Sequence, residues 1–137
     1  NFTVRNTLES QLGYFLSSGT TTPGLVTDGL AANSTSTNSV NAVNVGGDAG
    51  SAVILNQNNT YTGLTTVNNN ATLRLGAAGS GSNTPLGTTA AATTVSSGGS
   101  IDLNGFTLVT SEALTLNGTG QSSNGALRNG GAAATYS

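Results

Sequence analysis

Thr65-Thr66-Val67-Asn68-Asn69-Asn70-Ala71-Thr72-Leu73-Arg74-Leu75 is echoed by Thr93-Thr94-Val95-Ser96-Ser97-Gly98-Gly99-Ser100-Ile101-Asp102-Leu103, 28 residues further on. Val67 matches Val95, Leu73 matches Ile101 and Leu75 matches Leu103. In each copy a short strand leads into a polar turn, and a second strand follows with apolar residues at every other position. That alternation predicts that Val67, Leu73, Leu75, Val95, Ile101 and Leu103 point inward, together with Leu108, Leu114 and Leu116 further on. Thr66, Thr72, Arg74, Thr94 and Asp102 are predicted to point outward. Arg74 and Asp102 fall at equivalent positions, so an exposed ion pair between neighbouring strands is expected, of small energetic weight. Burial of the two would count against this register.

Shorter echoes continue the pattern. Leu103-Asn104-Gly105 returns as Leu116-Asn117-Gly118, and Ala113-Leu114-Thr115-Leu116 as Ala126-Leu127-Arg128-Asn129. Strands of three to five residues, Gly and Asn at the corners and a period in the twenties are the pattern of a solenoid. One coil cannot bury its own inward side chains. Stacked on the next at about 4.8 Å, it gains a ladder of backbone hydrogen bonds and a continuous apolar column. The corners need residues that tolerate positive φ, which suits Gly and Asn. The expected fold is an all-β solenoid of about five or six coils.

Composition narrows the function. The 137 residues include no Cys, His, Met, Trp or Lys, and carry three Arg against five Asp and Glu, a net charge of −2. Asn, Gly, Ser and Thr make up more than half of the chain. Without thiolate or imidazole there is no zinc site of the usual kind, haem ligand, cysteine nucleophile or Ser-His-Asp triad. Three scattered arginines cannot neutralise a run of phosphates, which argues against nucleic acid. No apolar run approaches the roughly 20 residues of a membrane helix, so no membrane insertion of this segment is expected. Leu, Ile, Val and Phe are about a fifth of the chain, near the edge associated with disorder. Disorder usually pairs that scarcity with high charge, which is absent here, so a thin core spread along the chain fits better. Asn1 at the start, with neither Met nor a signal peptide, reads as a mature, processed or partial chain.

Residues 1–30 differ from the rest and are read as a cap or docking segment, with residues 31–137 as the coils. Phe2 and Val4 alternate as in a strand. Leu8, Leu12, Phe15 and Leu16 fall at helical spacing, with Asn6 or Thr7 as N-cap and Gly19 as a stop. Thr20-Thr21-Thr22-Pro23-Gly24 reads as a turn. Residues 31–60 are rich in Asn, Ser and Thr, with a turn at Gly46-Gly47-Asp48-Ala49-Gly50 between short apolar pieces.

Asn59-Thr60-Tyr61-Thr62-Gly63-Leu64-Thr65-Thr66-Val67, followed by Ala71-Thr72-Leu73-Arg74-Leu75-Gly76, resembles the passenger-associated (autotransporter-associated) β-strand repeat of bacterial surface proteins. The general form of that repeat is N-T-Y-T-G-x-T-T-V … G-T-L-x-L-G. The likeness covers roughly residues 55–130 and departs at the turn, where Asn70-Ala71 replaces the usual Gly-Gly or Asn-Gly. It implies a right-handed parallel β-helix, secreted and held at the bacterial cell surface or released. It also implies a structural or adhesive role, with no catalytic residue to carry over. Ala134-Thr135-Tyr136-Ser137 is similar to the opening Asn59-Thr60-Tyr61-Thr62, as though a further repeat were about to begin.

Candidate chemistry is sparse. Asp28, Asp48 and Asp102 are the carboxylates a β-helical glycosidase or lyase would draw on. Such an enzyme needs two of them within about 5–10 Å, and Asp102 is better explained by its Arg74 partner. The Gly46–Gly50 turn resembles a calcium turn but offers one Asp where six or more oxygens are needed. Thr65/Thr93 and Thr66/Thr94 stack, which raises ice or carbohydrate binding on a flat Thr/Asn face, although no long Thr-x-Thr array is present. Asn-x-Ser/Thr sequons such as Asn33-Ser34-Thr35, Asn58-Asn59-Thr60, Asn70-Ala71-Thr72 and Asn117-Gly118-Thr119 are expected by chance in such a composition.

The reading is therefore a non-enzymatic structural unit of a stalk, adhesin or extracellular filament, without metal or cofactor. Its expected partner is itself, end to end, or further repeats of the same parent chain, with glycans or a host surface as additional partners. Phe2, Val4, Leu8, Leu12, Phe15, Leu16 and Tyr136 are the candidate self-association residues. The N-terminal strand is expected to be received on a neighbour's open last coil.

Overall fold

The computed structural model describes residues 2–6, 42–47, 49 and 52–137. Among these the chain is all-β, with one short 3-10 turn at Gln121–Ser123 and no α-helix. The strands are β1 (Phe2–Asn6), β2 (Val43–Gly47), β3 (Val53–Leu55), β4 (Thr65–Val67), β5 (Thr72–Leu75), β6 (Asn83–Thr84), β7 (Gly87–Thr88), β8 (Thr93–Val95), β9 (Ser100–Asp102), β10 (Leu114–Leu116) and β11 (Leu127–Arg128).

They form two separate parallel sheets, in the orders β1-β2-β4-β8-β10 and β11-β9-β5-β3, and the antiparallel hairpin β6–β7. From β2 onward the chain visits the parallel sheets alternately, with the hairpin intervening between β5 and β8. The predicted register holds: Thr65 pairs with Thr93, Thr66 with Thr94 and Val67 with Val95, while Leu73 pairs with Ile101 and Arg74 with Asp102.

The spacing of 28 is not a uniform period. Val45 and Val67 pair across 22 residues, Val53 and Leu73 across 20, Val95 and Leu116 across 21, and Ile101 and Leu127 across 26. The β6–β7 hairpin lengthens the connection between β5 and β8. The 13-residue echo instead links corners of different sheets: Leu103-Asn104-Gly105 follows β9, and Leu116-Asn117-Gly118 closes β10.

The polar turn that leads from β4 to β5 is the same as the one from β8 to β9. Asn70 (φ 63°) and Gly98 (φ 82°) stand at equivalent places in the left-handed region. Behind them Ala71 N–H donates to the Asn68 carbonyl at 3.1 Å, and Gly99 N–H to Ser96 at 2.9 Å. Asn is among the few residues with a Cβ that visit this region readily, which is why Asn70 can replace a glycine there.

Inward residues form columns. Val45, Val67 and Val95 follow one another in the five-stranded sheet, and Val53, Leu73 and Ile101 in the other. All six are buried, as are Leu55, Leu75, Leu103 and Leu108. Each such side chain contributes about 1.5–3 kcal/mol by leaving water. Tyr61 and Leu86 fill the space beside the hairpin.

Four expectations need correction. Asp102 is buried, 1% exposed, although its register with Arg74 is as predicted. It is covered by Arg74, Arg128 and the Asn104 and Gly130 backbone, so burial here does not signal a slipped strand. Arg74 itself is half-buried. Thr72 is buried because Gln121, in the 3-10 turn, lies over it and bonds its hydroxyl at 3.0 Å. Leu114 is half-buried and Leu116 is 43% exposed, since among the described residues no strand follows β10 in its sheet.

At the N-terminus the predicted strand is β1, parallel to β2. The helix expected over Leu8, Leu12, Phe15 and Leu16, the turn at Pro23-Gly24 and the proposed boundary at residue 30 lie outside the described residues.

Candidate functional site

Three features hold whatever chemistry or assembly the chain performs: the open sheet edges, an ionic ladder and a buried acid.

Among the described residues the edge strands of the five-stranded sheet are β1 and β10. The Ala113 carbonyl accepts from Thr93 N–H and Asn117 N–H donates to the Val95 carbonyl, so these groups face β8. Backbone groups alternate sides along a strand, and those of Leu114 and Leu116 therefore face away from the sheet. Leu116 continues the Val45–Val67–Val95 column, which would be dry inside a longer stack. In the four-stranded sheet the corresponding outer strand is β11, where Leu127 is half-buried.

Of the candidate self-association residues, Phe2 and Val4 occupy β1 opposite Val43 and Val45. Tyr136 lies elsewhere, bridged to Leu108 and packed half-buried against the core. The structure does not bring these three together. Leu8, Leu12, Phe15 and Leu16 lie outside the described residues.

The ladder runs across β5, β9 and β11. Arg74 Nε donates to Asp102 Oδ2 at 3.1 Å, and Arg128 Nε stands 3.8 Å from the same oxygen on the other side. Asp102 Oδ1 accepts the Asn104 N–H at 3.0 Å and the Gly130 N–H at 2.8 Å. Burial opposes the charge, but the Gly130 and Asn104 amides and the Arg74 guanidinium outweigh it and hold the carboxyl below its ordinary range. The Arg128 contact was hidden in the sequence because β11 follows at an offset of 26, not 28.

The acid is Glu112, 5% exposed. Its Oε1 accepts from Thr93 Oγ1 at 2.6 Å, and Oε2 lies 2.7 Å from Thr84 Oγ1. Tyr136 donates its hydroxyl to the Glu112 backbone carbonyl at 3.1 Å. Thr65 Oγ1 donates to the Leu86 carbonyl and meets the Tyr61 hydroxyl, completing a polar cluster inside the apolar column. Burial pushes the Glu112 carboxyl above its ordinary range, against the smaller opposite effect of the Thr93 and Thr84 hydroxyls. The sequence reading missed Glu112; the signal that could have found it is its phase with Leu114 and Leu116.

Asp102 and Glu112 each sit in a network of their own, Asp102 with two arginines and Glu112 with threonines. Asp28 and Asp48 lie outside the described residues. Among the described residues no three His, Cys, Asp or Glu side chains cluster as a metal site would require, and no helix is long and apolar enough to cross a membrane. Comparison with known protein families, with curated proteins and with solved structures gives no significant match to this chain.

Proposed function

We propose that the chain is a right-handed parallel β-helix serving as a non-enzymatic structural unit of a secreted bacterial surface stalk, adhesin or filament. The observation that carries this is the alternation of the chain between two parallel sheets whose inward residues line up strand after strand. A structure built this way is extended by adding further strands at its ends, either from the same parent chain or from a second copy. The exposed Leu116, at the end of an otherwise buried column, is the surface such an addition would cover. Parallel stacking places β10 of one copy beside β1 of the next, an open-ended contact that propagates. In this arrangement β1, paired with β2 in its own chain along one edge, meets the neighbour's last coil along the other. The low charge leaves little repulsion against association. The Asn/Thr/Ser/Gly surface and the likeness to surface-protein repeats support an extracellular location.

Light scattering and electron microscopy of the purified chain over a range of concentrations test the assembly. Filaments with a repeat of about 4.8 Å along the axis are expected. A monomer at every concentration would remove self-assembly and leave only continuation within a longer chain.

One row favours a second reading. Thr3, Asn44, Thr66, Thr94 and Thr115 occupy the same register position across the five-stranded sheet. An uncharged row of this kind suits a repetitive hydroxyl lattice such as a polysaccharide or ice. Co-sedimentation with insoluble glycans and ice-recrystallisation assays test it.

A further inference from the structure

The Thr84 hydroxyl bears directly on the protonation of Glu112. Its oxygen accepts the Leu86 N–H at 3.0 Å, and it also lies 3.1 Å from the Gly87 carbonyl and 2.7 Å from Glu112 Oε2. A hydroxyl has one hydrogen. If Glu112 were ionised, that hydrogen could serve either the carbonyl or the carboxylate, and the other contact would be oxygen against oxygen. If Glu112 carries a proton on Oε2, every contact is satisfied. The acid donates to Thr84, Thr84 donates to Gly87, and Thr93 donates to Oε1.

The surroundings agree. The groups bonded to the carboxyl come from the β6–β7 hairpin and β8, and neither contains a charged residue. Among the described residues the titratable groups facing Glu112 are the phenols of Tyr61 and Tyr136, neutral like any phenol near pH 7 and pushed further from ionisation by burial. Arg74 and Arg128 are engaged with Asp102. Among the described residues an ionised Glu112 would thus be a buried charge without a counter-ion, an arrangement proteins avoid.

We infer that Glu112 is held as a neutral acid and forms a pH-sensitive latch on the C-terminal sheet edge, closed in acid and loosened as the pH rises. One contact couples it to that edge and a second to the C-terminal segment. The next residue, Ala113, begins the pairing of β10 by accepting the Thr93 N–H at 2.9 Å. The Glu112 carbonyl also holds the Tyr136 hydroxyl, and Tyr136 is tied to Leu108. A carboxylate drawn toward water pulls on both. For a group whose pKa is raised by folding, the stabilisation is full below the unfolded value, near 4.5, and is lost as the pH rises through the folded one. Control of filament growth by this latch rests on the end-to-end reading above; the latch itself does not.

The experiment uses the whole chain and Glu112→Gln, whose amide reproduces the neutral acid by donating to Thr84 and accepting from Thr93. The side-chain carboxyl carbon of Glu112 is followed by NMR from about pH 3 to about pH 8, with amide exchange at Thr115 and Leu116 and urea unfolding in parallel. The carboxyl is expected to titrate above the ordinary range. The wild-type folding constant is expected to fall about tenfold for each unit of that elevation, with β10 exchange rising over the same interval. Glu112→Gln removes this component. A carboxyl titrating at or below the ordinary range overturns the inference, as does a Glu112→Gln chain that keeps the wild-type pH profile. If Glu112→Gln does not fold, the wild-type carboxyl titration decides alone. Absence of filaments at every pH, with the titration as expected, removes the assembly reading and leaves the latch standing.

Discussion

Arg74 Nε lies 3.1 Å from Asp102 Oδ2, 28 residues away in the chain, because the two residues are directly opposed on β5 and β9. Arg128 closes on the same carboxylate from β11. Asp102→Ala leaves the Asn104 and Gly130 amides without their acceptor and sets two guanidiniums against each other. Removing one partner of such a buried pair costs about 3–5 kcal/mol. The half-buried arginines place the expected loss at the lower end, about 3 kcal/mol by urea unfolding near neutral pH. The sign of the pH dependence follows from the lowered pKa. The contribution is present above the unfolded value of 3.8 and is lost as the pH falls through the folded one. The wild type should lose its advantage over Asp102→Ala in acid; a constant difference across that range would contradict this account.

Leu103 and Leu116 separate the closed core from the open end. Leu103 is 5% exposed, and Leu103→Ala is expected to cost about 2–5 kcal/mol. Leu116 is 43% exposed in the single chain, and Leu116→Ala should cost under about 1 kcal/mol in dilute monomer. Paired thermal melts measure both. Equal losses would mean that the last strand is covered in the monomer.

Gly87 sits in the β6–β7 hairpin at φ 107°, and a Cβ added there would lie 2.6 Å from the Tyr61 ring. Tyr61 is fully buried and hydrogen-bonded through its hydroxyl to Thr65, so it has little freedom to withdraw. Gly87→Ala therefore combines backbone strain with overpacking, each worth about 1–3 kcal/mol. Gly81, also at positive φ, has open space around its Cβ position, so Gly81→Ala incurs strain alone. Calorimetry should rank Gly87→Ala well below Gly81→Ala in stability.

The two copies of Thr-Thr-Val, with the strands that follow them, made the register legible, because period-2 alternation and a constant offset specify both the face and the partner of each residue. Val67, Val95, Leu73 and Ile101 are where the pattern put them. The pattern failed where coverage comes from elsewhere in the chain. Thr72 is outward by alternation yet buried, since Gln121 reaches it from 49 residues away. Asp102 is buried by a loop containing Gly130, which no local period announces. Leu116 errs in the opposite direction: its phase is inward, but burial needs a neighbour on both sides and, among the described residues, β10 has only β8. The Glu112 site stayed hidden because its threonine partners belong to a hairpin inserted between repeats and to the preceding strand of its sheet.

That unshared edge at β10 yields the sharpest test of assembly. Leu116→Lys places an ammonium on a side chain that is already 43% exposed, so the single chain should lose under about 1 kcal/mol. In an end-to-end stack the same position continues the Val45–Val67–Val95 column and becomes interior. There the lysine would be an unpaired buried charge, and inward-pointing charges at edges are a recurrent natural defence against strand addition. Sedimentation and electron microscopy should therefore show filaments for the wild type and a folded monomer for Leu116→Lys, with circular dichroism unchanged between them. Thr115→Lys is the control: Thr115 points outward on the same strand and is exposed, so its charge stays in water and filaments should persist. If both variants assemble as the wild type does, β10 is not the joint. If both prevent assembly, added positive charge alone is responsible, and the strand-to-strand contact loses its support.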